Sequence, residues 1–155
     1  MVRPIARNLF LVIVCLATLA LPQTYTFREY GPQDGLEIGN IETLLQDRTG
    51  FLWIGTQSGL YRYDGRNFLQ HTNEHGLPSI FITALHETPD GTLWAASTQG
   101  VAYFTQGRFQ PLQLNVPRLG YPFSRFPMAS LPDGRIFLTT PGGLALIARS
   151  GEGFA

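Results

Sequence analysis

The chain has 155 residues, 44% of them hydrophobic, with eleven Arg, no Lys and eleven Asp plus Glu, for a formal net charge of zero. That balance removes the electrostatic case for a nucleic-acid partner; a single cysteine excludes an internal disulfide and zinc-finger spacing, and 11 Phe, 6 Tyr and 2 Trp supply too much core material for disorder. Seventeen Gly and eleven Pro in a chain only 14% charged leave little room for long helices.

Arg3 and Arg7 precede an apolar run from Leu9 to Leu21 that stops at Pro22, the layout of a secretory signal. At about 13 residues the run is shorter than the ~20 that a spanning helix needs, so residues 1–23 are expected to be a cleaved export signal, with Thr18 and Ala20 as the small residues before the cut. The expected location is periplasmic, or the inner membrane with a periplasmic domain if the signal stays. Cys15 follows Val14, not the small residue a lipidation site wants, and reads as apolar filler.

From residue 24 onwards the sequence repeats itself, and a period of this length decides the fold class. Asp47-Arg-Thr-Gly50-Phe-Leu-Trp53-Ile-Gly55-Thr-Gln-Ser-Gly59-Leu-Tyr-Arg-Tyr63-Asp64 is answered 41 residues later by Gly91, Leu93, Trp94, Gly100 and Val101. A third copy follows after 43 residues, with Asp133-Gly134, Phe137 and Gly143-Leu144. Each unit resolves into four short strand candidates, in the first copy Ile41 to Gln46, Phe51 to Thr56, Gly59 to Tyr63 and Asn67 to Thr72. The Asp-x-x-Gly and Pro-Asp-Gly segments between them supply the turn-forming carboxylate and the positive-φ glycine. Four strands per 41 to 43 residues, with an aromatic and a glycine at fixed phase, predict an all-β, partial β-propeller of about three four-stranded blades. The units are expected at 35–72, 76–113 and 120–155. An orphan strand at 25–31 precedes them, because Phe27 to Tyr30 repeats the Phe68 to His71 pattern without inner strands before it. Three blades do not close a ring, so self-association through open blade edges is also expected.

Candidate chemistry is sparse. His71 and His75, with Glu74 between them, fall across a strand end and a loop rather than on one helix face, which argues against a metal pair. His86 stands where the first unit has Leu45 and reads as a packed or rim histidine. Asp47, Asp90 and Asp133 recur with turn spacing and read as turn formers. Trp53, Trp94 and Phe137, one aromatic per unit, read as core between blades. Arg62 is expected to stack on the flanking Tyr61 and Tyr63 and to cap a turn. No catalytic, cofactor or metal residue is assigned; the residues singled out are the structural motif Asp47, Gly50, Trp53, Gly55, Gly59, Tyr63, Asp64, Asp90, Gly91, Trp94, Gly100, Asp133, Gly134, Phe137 and Gly143.

The segment from Asp47 to Asp64, with Gly35-Leu36 before it and Gly76-Leu77-Pro78 after it, resembles the two-component regulator propeller repeat of the periplasmic sensor regions of hybrid histidine kinases and some diguanylate cyclases. The second copy keeps Leu93-Trp94 but has Ala95-Ala96-Ser97 for Ile-Gly-Thr, and the third keeps the turns and Phe137. The resemblance implies a sensor module: an N-terminal fragment of an extracytoplasmic ligand-sensing propeller, its ligand unknown, with no output domain in this chain. Two other readings stay open: a propeller of the streptogramin-lyase type, and a structural or protein-interaction propeller.

Overall fold

The computed structural model describes residues 25–37, 40–112, 128–140, 143–150 and 153–154. The expected export signal at 1–23, Cys15 included, lies outside them. Among the described residues no helix is long and apolar enough to cross a membrane.

The first sheet is a four-stranded antiparallel meander of β1 (Ile41–Gln46), β2 (Leu52–Thr56), β3 (Leu60–Tyr63) and β4 (Phe68–His71), paired in chain order. The second repeats it with β5 (Ile82–Glu87), β6 (Leu93–Ser97), β7 (Gly100–Thr105) and β8 (Arg108–Leu112). Even an irregularity recurs: the first strand of each slips register at its start, between Ile41 and Thr43 and between Ile82 and Ala84. The third sheet has β9 (Met128–Ser130), β10 (Ile136–Thr140) and β11 (Gly143–Ile147). Beyond it β12 (Arg149–Ser150) pairs with β13 (Gly153–Phe154) as a separate hairpin, so the expected fourth strand near Phe154 is not part of the third sheet among the described residues. The fold is a partial β-propeller. The three sheets are its blades.

The turn between the first two strands of each blade has one backbone design. Asp47 N–H donates to the Phe51 carbonyl and Gly50 N–H to the Asp47 carbonyl; Thr88, Thr92 and Gly91 repeat this in blade 2, and Leu131, Arg135 and Gly134 in blade 3. The glycine sits at φ 94°, 90° and 85° in turn, a conformation that costs a residue with a Cβ but not glycine. In blade 1, β1 keeps the expected bounds, while β2, β3 and β4 each start one residue later than expected and β4 ends one residue earlier, because the glycine turns hold the flanking residues out of the ladder.

A second recurring element leads into each of the first two blades. Pro32–Asp34 and Asn73–His75 form single 3-10 turns. Asp34 in the first and His75 in the second accept from the backbone N–H three residues before, at 3.0 and 3.1 Å. Leu36 and Leu77 follow and are buried, Leu36 against Ile54 and Tyr61, and Leu77 in the cluster holding Ile82, Leu93, Ala95 and Ala102. Residues 25–30 belong to no sheet.

Strand alternation gives each blade two faces, and the core is the stack of those faces. One face of blade 1, carrying Trp53 and Leu60, packs on Ile82, Leu93, Ala102 and Phe109 of blade 2. The far face of blade 2, with Trp94, Ala96 and Val101, packs on Ile136, Leu138 and Ile147 of blade 3.

Candidate functional site: the cleft between the first two blades

Asp47 is held by four donors. Its Oδ1 accepts from Thr49 N–H (2.9 Å), Thr49 Oγ1 (2.6 Å) and Phe51 N–H (3.0 Å), and its Oδ2 from the Trp53 indole Nε1 (2.7 Å). Burial pushes its pKa up, but the bonds from Thr49, Trp53 and Phe51 outweigh burial and hold the carboxyl below its usual value. The turn therefore fixes the indole as well as the chain reversal, and Trp53 is enclosed.

The next residue ties two blades together. Arg48 Nε lies 3.0 Å from Glu87 Oε1, its backbone N–H donates to Glu87 Oε2 (3.0 Å), and its terminal nitrogen donates to the carbonyls of Thr88 (2.9 Å) and Pro89 (2.8 Å). Sequence reasoning missed this clamp. Beneath it opens a cleft of about 310 Å³, walled by Asp47, Phe51 and Trp53 on one side and Glu87, Asp90 and Phe104 on the other. Arg62 lies across its floor with its guanidinium 4.6 Å from the Phe51 ring centre and 5.8 Å from Trp53. This corrects the expected stacking on Tyr61 and Tyr63: as strand neighbours those two point to the opposite face, where Tyr61 packs with Leu36 and Ile54 and Tyr63 stacks on Phe68. In blade 2 Tyr103 takes the place of Arg62 and tilts against Trp94 at 5.4 Å. Two unlike residues thus fill one role, a flat group laid on the blade's tryptophan.

With this geometry the comparisons fall into register. The model of the "Two component regulator propeller" family matches residues 35–58 and 76–99. Each match runs from a Gly-Leu lead-in through the first turn to the end of the tryptophan strand. Two of the three blades carry a match to this repeat. It is similar to histidine kinase P4 of Formosa agariphila, with 32% identity over 60 residues, 39% of this chain and 4% of that protein. Among solved structures it is similar to the extracellular domain assigned to a hybrid two component system of B. thetaiotaomicron, with a TM-score of 0.63 and 22% identity over 77% of this chain and 17% of that one. The chain thus spans a small part of the length of each.

The repeat defines where the remaining singled-out residues stand. Gly59 immediately precedes the third strand of blade 1, Gly100 and Gly143 open those of blades 2 and 3, and Gly55 lies in β2, so close to blade 2 that an added Cβ would fall 2.8 Å from Ile82 Cγ2. Asp64 Oδ1 caps Arg66 and Asn67 N–H (2.8 and 2.7 Å), which lowers its pKa. The three recurring carboxylates are not one position. Asp47 corresponds to Thr88 and Leu131, whereas Asp90 and Asp133 correspond to Thr49. Asp90 accepts from Thr88 Oγ1 (2.6 Å) and Thr92 N–H (3.1 Å), and Asp133 pairs with Arg135 (2.9 Å). Trp53 and Trp94 are buried between blades, but Phe137 at the third equivalent position is half-buried, because among the described residues no sheet packs on its face.

The histidines do not converge. His86 Nε2 lies 2.9 Å from Ser130 Oγ in blade 3, and burial lowers its pKa. His71 ends β4 wholly enclosed, its ring among Trp53, Phe104, Phe109 and His75 at 5.4 to 5.9 Å. Neither ring nitrogen has a hydrogen-bond partner among the described residues. Burial first, then the neighbouring His75 and Arg62, lowers its pKa to about 4. Among the described residues no three His, Cys, Asp or Glu side chains gather as a metal site would require.

Proposed function

We propose that the chain is part of an extracytoplasmic sensor propeller of two-component or diguanylate cyclase signalling, its role recognition and not catalysis, with the output domain outside these 155 residues. The observation that carries this reading is that the two matched repeats fall on two successive blades with the same turns, lead-ins and buried tryptophans. The positive start and apolar run at 3–21 support export. The cleft under Arg48, whose floor guanidinium of Arg62 has no hydrogen bond among the described residues, is a place where a small ligand would reach side chains of both blades. Residues 25–31 fit the reading as the outer strand of another blade in the ring. Tyr30 packs on Tyr63 and Phe68 at 5.3 and 5.6 Å, as His71, one period on, packs on Phe104 and Phe109.

Two measurements test the proposal. Residues 1–30 fused to a reporter active only outside the cytoplasm should score positive; a silent but expressed reporter contradicts export. An antibody against this chain, used in its native host, should recover it in membrane fractions with an autophosphorylating kinase or a cyclase. Recovery as a free cytoplasmic protein contradicts the sensor reading.

A further inference from the structure

Blade 2 shows that the packing role of Arg62 needs no charge. There the neutral Tyr103 lies against Trp94, as the Arg62 guanidinium lies on Phe51 and Trp53. The charge of Arg62 is left over from that packing: among the described residues no carboxylate pairs with it and none of its N–H donors is bonded. It is felt nearby, since Arg62 helps to lower the pKa of His71. A half-buried guanidinium with unmet donors in an aromatic setting is costly unless water or a ligand meets them.

The other charges around the cleft are arranged differently. Arg48 and Glu87 neutralise each other through the clamp, and Asp47 is engaged by its four donors. Asp90, on the opposite wall from Phe51, is anchored through Oδ1 by Thr88 Oγ1 and Thr92 N–H. The lining thus sets two arginines against three carboxylates. A simple anion would suit Arg62 but enter a lining that is already negative, and a simple cation would leave Arg62 unmet. We propose that the cleft binds a free amino acid with an apolar side chain, its carboxylate received by Arg62, its ammonium facing Asp90 and its side chain against Leu93 and Phe104. The planar fork of a guanidinium matches a carboxylate with two parallel N–H···O bonds, and opposite charges on floor and wall fix the orientation of a dipolar ligand. The volume of about 310 Å³ lies at the small end of ligand pockets. The proposal rests on the reading of the cleft as a recognition site; export and recovery with a kinase or cyclase can hold when it fails, and the reverse.

Calorimetry of the full chain tests it. L-phenylalanine and L-leucine should bind saturably, whereas N-acetyl-L-phenylalanine and L-phenylalaninamide, which each lack one of the two charges, should bind at least about tenfold more weakly. Arg62→Tyr, which copies blade 2 and keeps a flat group on Trp53, should weaken phenylalanine at least about tenfold with an unchanged circular dichroism spectrum. Asp90→Asn, whose side-chain carbonyl still accepts from Thr88 and Thr92, should weaken phenylalanine but not N-acetyl-L-phenylalanine, so the gap between the two narrows; this variant carries the test if Arg62→Tyr misfolds. No saturable binding at millimolar amino acid, N-acetyl-L-phenylalanine binding as well as phenylalanine, or a folded Arg62→Tyr chain binding as well as the unaltered one overturns the proposal.

Discussion

Leu60 and Leu144 hold the same place in the repeat, the second residue after the glycine that ends the turn being tyrosine in one blade and alanine in the other, yet one is enclosed and the other stands in solvent. The backbone around them is the same antiparallel pairing. Burial of a repeat position is thus set by the neighbouring blade and not by the residue or its strand. In an array stabilised by nearest-neighbour junctions, the identical side chain contributes much in the interior and little at an outer face, and the energetic weight of the propeller motif depends on which junction it lies in.

The largest contrast is expected at the aromatic position. Trp53→Ala should cost about 3 to 5 kcal/mol in denaturant unfolding, whereas Phe137→Ala should cost less than about 1 kcal/mol; equal costs would show that blade 3 is covered. Ile82→Ala should likewise cost about 2 to 4 kcal/mol against roughly 0.5 kcal/mol for Ile41→Ala. Acid titration separates the junction's polar groups by pH. His71 has its pKa lowered to about 4 when folded, so the unfolded chain takes up the proton first. Stability should therefore fall as pH drops from about 6.5 towards 4, by up to about 1.4 kcal/mol per pH unit. His71→Leu, which copies Leu112 at the corresponding place in blade 2, should remove the His71 share of that slope and leave the share of His86, whose pKa burial also lowers. Asp47, whose pKa is lowered, contributes stability that is lost only further down, as pH falls through its folded value. The clamp contributes less than the interior core positions. Arg48→Ala should cost about 1 kcal/mol, because its side chain is 48% exposed. Part of that cost should vanish in high salt, and a salt-independent loss would place the effect in packing instead of charge.

How much of this the sequence discloses depends on the range of each interaction. The blade pattern is legible because its signals are local: Asp47, Gly50 and Phe51 belong to one turn, and the glycine and tryptophan repeat at a fixed phase. The four strands of blade 1 are readable to about a residue for that reason. The Arg48 clamp spans 39 to 41 residues and has no local signature; only superposing one period on the next puts Arg48 beside the Glu87 turn. The face of Arg62 could have been found, since strand alternation alone sets it apart from Tyr61 and Tyr63, and the pull of two adjacent aromatics misled. The shared role of Arg62 and Tyr103 looks like a mismatch in sequence and emerges only when both are seen against a tryptophan. Asp47 is set apart from Asp90 and Asp133 already by spacing, since the glycine lies three residues from the first and one residue from the others, but its bond to the indole has no signature in the spacing.

The sequence contains two tryptophans, Trp53 and Trp94, and each is 2% exposed or less beneath the blade that follows it. Their fluorescence reads directly whether successive repeats pack as blades. The folded chain should emit at short wavelength and resist quenching by acrylamide until it unfolds, with both signals lost in one transition. Emission near that of tryptophan in water, or strong quenching under native conditions, would contradict the stacking of the blades.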